Sequence, residues 1–296
     1  MQTLYSITSA SQVGLQKLLL ILLCSFLLVA CRNDSNEQYQ KNADIQEASK
    51  KKQQQLIAAW LAAPMDSLDN DFYIATDTGK VLSFQIDSTD VDSLLAEAER
   101  LTGDSLYLRV FMALDETAPN AGVKAEPDFR PILDLTNEPS QTINDEMLFE
   151  MDYLDMHIIK YLDTLLKSTT LSNSPGPDIP ISIPQAKQFI VGWNGLPQAK
   201  IAKVMYADSV PIGTERIKYY TFNSSDTKDA LKHLKMRPND LLYLHLGLNA
   251  VTDAIPLCVI LHLDDPARIA DFADFDDQNP PFFEFAAPCP RACGNQ

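Results

Sequence analysis

The stretch LLYLHLGLN (241–249) sets a histidine in the middle of a leucine-rich run, and VILHL (259–263) repeats the pattern. Two histidines on neighbouring strands can hold a metal ion if a third and usually a fourth ligand joins them. His245 and His262 are therefore the candidate metal pair, with only His157 and His233 left to complete the histidines of the chain. The competing reading has both filling ordinary sheet positions, facing solvent or a covering helix. Alternation puts Leu242, Leu244, Leu246 and Leu248 on one face with Leu257, Val259, Leu261 and Leu263. Tyr243 and His245 then share the other face with Cys258, Ile260 and His262. A hairpin centred near residues 253 and 254 sets His245 opposite His262.

An earlier run, LYLRVFMAL (106–114), carries Arg109 where the later one carries His245, and LDL (133–135) carries Asp134 in the place of His262. A cross-strand Arg–Asp pair is ordinary sheet stabilisation, about 0.2–1 kcal/mol. Tyr107, Phe111 and Tyr243 lie on the same faces, as exposed contact residues or as residues buried beneath a helix.

These runs belong to a longer repetition. QQQLIAAW (53–60) matches AKQFIVGW (186–193), and the two tryptophans, Trp60 and Trp193, are 133 residues apart. VLSFQIDSTDVDSLLAEAERLTGDSLYL (81–108) matches KYYTFNSSDTKDALKHLKMRPNDLLYL (218–244), with Phe84 against Phe222 and Tyr107 against Tyr243. PILDL (131–135) matches VILHL (259–263). Four landmarks in one order, with offsets that vary only by loop lengths, read as a tandem duplication. Two copies are too few for a solenoid.

Each copy has the same sequence of elements: a helix ending at the tryptophan, a hairpin, a helix opened by Ser and Asp caps, and a second hairpin. The expected fold class is α+β, a small antiparallel sheet with helices, duplicated in tandem. The copies are joined by an amphipathic helix over 144–168, capped by Asn144 and carrying His157 close to its apolar stripe. The expected boundaries are a signal peptide at 1–30, a polar tether at 31–48, repeat one at 49–140, the connecting helix at 141–171, a Pro-rich linker at 172–184 and repeat two at 185–296.

Several tempting motifs fail on their own chemistry. Asp77-Thr78-Gly79 resembles the aspartic-protease triplet, but that chemistry needs two carboxylates sharing a proton. The matched place in the second copy reads ADSV, so a hairpin turn fits better. Asp271, Asp274, Asp276 and Asp277 suggest calcium; counted from Asp274, the EF-hand positions for Gly and acid hold Asn279 and Phe285. A solvated acidic loop is expected there. Glycine-rich phosphate loops, GxSxG and HExxH are absent from the sequence, and no cofactor is implied. Cys289 and Cys293 in PCPRACG suit a disulfide or free thiols better than a metal site, which needs two further ligands.

Residues 18–29, LLLILLCSFLLV, form an apolar run behind Lys17, too short for a bilayer span of about 20 residues but suited to a signal-peptide core. The run leads into Leu28-Val29-Ala30-Cys31 and then a polar segment, which resembles the lipobox of bacterial lipoproteins. That resemblance implies cleavage before Cys31, lipidation of Cys31, and a domain tethered to a membrane of the bacterial cell envelope, the outer membrane in the favoured reading. The chain would face the periplasm or the exterior. The C-terminal PPFFEFAAPCPRACGNQ is similar to the endings of uncharacterised exported proteins of Bacteroidota-type bacteria, which implies the same compartment and no activity.

Loss of residues 1–30 removes one of the 24 basic residues and none of the 40 acidic ones, for a net charge of −17. Phosphate backbones would be repelled, so nucleic acid is not an expected partner. The sequence reading is thus a lipid-anchored, non-enzymatic module whose duplicated domains bind a protein or a glycan. The alternative is a hydrolase, metal-dependent or otherwise, with its site in the second repeat.

Overall fold

A computed structural model describes residues 47, 49–64, 67–72, 80–81, 83–101, 103–115, 128–138, 148–154, 183–207, 215–248, 257–265, 282–285 and 287–289. The signal peptide, Cys31 and most of the tether lie outside these residues, as do Asp77–Gly79, His157, the acidic loop 271–277 and Cys293. The chain divides into two units, Met1–Lys51 and Lys52–Gln296. In the first, residues 47 and 49–51 are described and are helical. Among the described residues no helix is long and apolar enough to cross a membrane.

The second unit is α+β. Its strands are β1 (Ser83–Gln85), β2 (Tyr107–Phe111), β3 (Ile132–Thr136), β4 (Leu148–Glu150), β5 (Asp152–Tyr153), β6 (Tyr206–Ala207), β7 (Glu215–Arg216), β8 (Tyr219–Phe222), β9 (Leu241–Leu248), β10 (Leu257–Asp264), β11 (Phe282–Phe285) and β12 (Ala287–Cys289). All described pairings between them are antiparallel. One five-stranded sheet runs β11-β10-β9-β1-β5 and a second runs β12-β8-β2-β3-β4, with β6 and β7 as a separate pair.

The two large sheets exchange strands between the halves of the chain. Read from its other end, the second sheet is β4-β3-β2-β8-β12, which places each strand opposite a counterpart in the first. β1, from the first half, joins the β9–β10 hairpin of the second, and β8, from the second half, joins the β2–β3 hairpin of the first. The registers agree: Phe84 pairs with Leu244, and Phe222 with Leu108. The tryptophans follow the same rule. Trp60 Nε1 donates to the carbonyl of Ile217 and Trp193 Nε1 to that of Val81, both at 2.8 Å. Lys80 donates to the carbonyls of Trp193 and Leu196, while Arg216 donates to those of Trp60 and Ala63. Each cation also stands over the tryptophan ring it serves.

Local sequence explains the helices. Helix Ser88–Arg100 starts where the Asp87 carboxylate accepts from the Asp90 N–H, and Ser224–Met236 where Asn223 accepts from the Asp226 N–H. Val91 and Leu94 bury one face of the first; Ala230, Leu231 and Leu234 bury one face of the second. Pro184 in the first turn of helix Ile183–Gly195 gives up an N–H that would have no intrahelical partner. One apolar cluster joins Leu108, Val110 and Leu135 of one sheet to Leu244, Leu246 and Leu261 of the other. A smaller cluster sets Leu56 and Ile57, from the helix through residues 52–62, against Phe111, Ile132 and Tyr219.

Two expectations are corrected. The amphipathic helix expected over 144–168 is strand at 148–150 and 152–153, and residues 155–168 lie outside the described set. β4 completes one large sheet and β5 the other, so the chain passes between sheets at Met151. Phe149 and Met151 are buried while Asp152 is exposed, a period of two inside a longer helical spacing, and pairing with β3 and β1 satisfies the backbone. The hairpin expected after the helix that ends at Trp193 starts late, because Ile201–Val204 is helical before β6 begins.

Candidate functional site

β9 places His245 between two neighbours. On one side Ser83 of β1 stands directly opposite; on the other, Ile260 of β10 does. His262 pairs with Tyr243, so the two histidines are diagonal neighbours and not opposite, two residues away from the expected register. The reason is that the hairpin axis falls between residues 252 and 253. A shift of two residues leaves every side chain on its expected face, so the polar row still forms.

That row holds two hydrogen bonds and one longer approach, the one to Asp264, whose distance is too great for a hydrogen bond. Ser83 Oγ lies 2.6 Å from His245 Nδ1, His245 Nε2 lies 3.0 Å from His262 Nδ1, and His262 Nε2 stands 3.6 Å from Asp264 Oδ2. His245, His262 and Asp264 are buried, whereas Ser83 is half-buried. Helix 183–195 closes over this face. A methyl group at Gly247 would come within 2.9 Å of the Phe189 Cβ and 2.7 Å of the Cys258 Sγ, so the glycine is what allows the approach. Loss of water pushes the His245 pKa well below its ordinary value, and His262 beside it adds to the effect. His245 is thus neutral at pH 7.

Two proton arrangements satisfy the pair of short contacts: Ser83 donates to His245 Nδ1 and His245 Nε2 donates to His262 Nδ1, or both bonds run the other way.

This arrangement bears on the proposed metal pair. The facing nitrogens of His245 and His262 share one hydrogen bond, and each points at the other instead of at a common third point. Among the described residues no group of three or more His, Cys, Asp or Glu is placed to hold a metal ion.

The second sheet replaces this row with an ion pair. Arg109 is opposite Asp134, as expected, but both are fully buried. The guanidinium donates to Asp134 Oδ2 through Nε at 2.8 Å and also through Nη2. It lies over the rings of Phe111 and Tyr219, at 5.2 and 5.6 Å. Burial raises the Asp134 pKa to about 6; Arg109 opposes the shift and Glu97 adds to it. The register makes Asp134 the counterpart of Ile260, and Thr136 the counterpart of His262, in place of the expected match between Asp134 and His262. Thr221 stands opposite Arg109 as Ser83 does opposite His245.

Other sequence candidates are dispersed. Phe111 and Tyr243 are buried and Tyr107 is half-buried, so the two buried rings are not contact residues. His233 bonds Asp240 at 2.8 Å, away from the row. Cys258 is buried, and Cys289 forms the end of β12. Sequence reasoning missed Ser83 and Asp264. Asp264 continues the alternation 258, 260, 262 and was legible as a same-face residue. Ser83 carries no local signal, because it meets His245 only through a pairing across 162 residues.

Comparison with family models, with curated proteins and with solved structures finds no match for this chain.

Proposed function

We propose that this chain is a lipid-anchored protein of the bacterial cell envelope that acts by binding a protein or glycan partner. The observation that carries the reading is Leu28-Val29-Ala30-Cys31 at the end of an apolar run, followed by a polar segment that leads into the folded unit. The folded unit is proposed to descend from a tandem duplication. Support comes from the paired registers of β1–β9 and β8–β2 and from the reciprocal tryptophan bonds. Burial of the Arg109–Asp134 pair favours cohesion over chemistry in the first half.

The test is expression of the full chain in a bacterial host with labelled palmitate. Label on the protein, lost in Cys31→Ser together with membrane retention, is the expected result. Retention without label, or label that survives the substitution, overturns the anchor. Crosslinking on intact envelopes follows, with a discrete adduct expected for a binding module.

A second reading has one specific observation in its favour. The half-buried Ser83 hydroxyl lies 2.6 Å from the His245 ring, which meets His262 at 3.0 Å, the kind of hydroxyl–imidazole contact a hydrolase uses. On this reading the sheet of β9 and β10, completed by β1, carries a hydrolytic site beside the binding role.

A further inference from the structure

We infer that helix 183–195 is a strap over the β9–β10 face that acid releases, with the buried His245–His262 contact as its trigger. This release is independent of the lipid anchor and of any chemistry at Ser83.

The contact limits how many protons the pair can hold. His245 Nε2 and His262 Nδ1 are 3.0 Å apart, a gap that one proton bridges and that two cannot share. Two imidazoles have four ring nitrogens, so the pair holds at most three protons while the contact stands, whichever way the bonds run. In water both rings charge below a pKa of about 6.5, and the pair then holds four. In acid the closed pair is therefore at least one proton short. Burial adds to the deficit, because it pushes the His245 pKa well below its ordinary value. A state that hydrates the rings binds the proton that the closed state refuses. The stability given by the contact is thus present above about pH 6.5 and is lost as pH falls below it. One missing proton multiplies the opening constant roughly 25-fold between pH 7 and pH 5.

The groups around the pair leave this limit in place, because the contact itself sets it. β1 brings Ser83 and no ionisable residue. β9 adds Tyr243, with its ring 5.7 Å from that of His262, and β10 adds Cys258 and Asp264, the latter 3.6 Å from His262 Nε2. β11 sets Phe283 opposite His262 and its one acid, Glu284, opposite Leu261. Helix 183–195 carries Lys187 as its one ionisable residue.

The strap is the layer that can part from the pair. β9 and β10 are paired along all eight residues of each, so the strands hold. The helix packs across β9 at two points, Phe189 against Gly247 and Gly192 against Leu248. Its C-terminal end is clasped by the Trp193 bond to the Val81 carbonyl and by the Lys80 bonds to Trp193 and Leu196. Lifting therefore pivots at Trp193. A helix of 13 residues is marginal in water, so once lifted it exchanges its amide protons.

The second sheet answers acid with the opposite sign. Residues 52–62 pack there over Phe111 and Ile132, on the face that holds Arg109 and Asp134. Folding raises the Asp134 pKa to about 6, so the closed state gains a proton as pH falls and this helix is held.

The test is amide hydrogen exchange of the full chain at pH 7, 6 and 5, read as the protection of helix 183–195 relative to residues 52–62. That ratio cancels the direct effect of pH on exchange. It is expected to fall roughly 25-fold or more from pH 7 to pH 5, and to stay level when His245→Gln and His262→Gln are combined. A level ratio in the unaltered chain overturns the inference, as does an equal fall in the double variant or a joint loss of protection in both helices. A titration of the imidazole C2–H resonances in the unaltered chain makes the outcome independent of whether that variant folds. Both rings taking up a proton while helix 183–195 stays protected refutes the limit; at most one doing so upholds it.

Discussion

Replacing Arg109 with methionine isolates a carboxylate inside the second sheet, and the cost should depend on pH in a way that an exposed pair cannot reproduce. Both side chains are buried, and the two bonds that Arg109 gives Asp134 through Nε and Nη2 converge on Oδ2. The other oxygen, Oδ1, is buried without a hydrogen-bond partner, and Glu97 repels it. Removing one partner of a buried pair costs about 3–5 kcal/mol, because the remaining charge stays desolvated. At about 2–4 °C per kcal/mol for a unit of this size, Arg109→Met should lower Tm by roughly 6–20 °C at pH 8.

The sign of the pH effect follows from the raised pKa. Folding moves the Asp134 pKa from 3.8 to about 6, so between those values the folded protein keeps a proton that the unfolded chain has lost. Stability from this group therefore falls as pH rises through that window, and is recovered as pH falls through it. Without Arg109 the pKa rises further, so at pH 5 Asp134 is neutral and the penalty of Arg109→Met shrinks. Arg109→Met combined with Asp134→Leu removes both charges and should be neutral, or stabilising by about 1–4 kcal/mol, at either pH. Thermal unfolding of the three proteins at pH 5 and pH 8 gives the answer. A loss in the single variant that is equal at both pH values, or a double variant as damaged as the single, would refute the account of a buried carboxylate held by its partner.

Three further outcomes test the packing. Gly247→Ala should cost about 1–3 kcal/mol by overpacking against Cys258 and Phe189, and Cys258→Ala should restore part of it; denaturant midpoints of the three proteins decide. Asp87→Ala and Asn223→Ala should each cost about 1 kcal/mol through loss of a helix cap, measured the same way, and a cost near zero would mean the capping bonds are not formed. Fragments 52–154 and 183–296 should fail to fold separately and should regain buried-tryptophan fluorescence on mixing, because each large sheet needs strands from both; native-like emission from either fragment alone would contradict the exchange.

The pattern of legible and illegible features has one physical origin. Alternation in LLYLHLGL and LCVILHLD fixes which face each residue takes, since the side-chain period is two, and the described faces agree with it. Register is a different quantity, set by the turn, and residues 249–256 contain no Asn-Gly or similar pair to pin it. The two-residue error in register therefore preserved the faces and misplaced the partners. Strand exchange was less legible still. The matches between Trp60 and Trp193, and between Phe84 and Phe222, are matches of sequence alone. They hold equally for two separate sheets and for two sheets that trade β1 and β8.

That ambiguity matters for the site more than for the fold. Separate sheets would set Ser83 in the sheet of Arg109, where its hydroxyl would meet a guanidinium that takes no proton. Exchange moves it beside the imidazole, and Thr221 takes the place beside the guanidinium. The donor–acceptor character of each row therefore comes from combining residues of different halves, and neither half holds a complete row alone. Ser83 stands beside His245 because β1 pairs with β9, and the Trp193 bond to the Val81 carbonyl holds the chain just before β1. A substitution that weakened that tryptophan bond would loosen β1 before it disturbed β9 or β10, whose sixteen residues pair with each other along their full length. Trp193→Phe keeps most of the ring and removes the indole N–H. In that variant amide exchange of β1 should rise at temperatures well below the midpoint for unfolding. A variant whose β1 protection and global stability declined together would mean that β1 is held by the sheet alone.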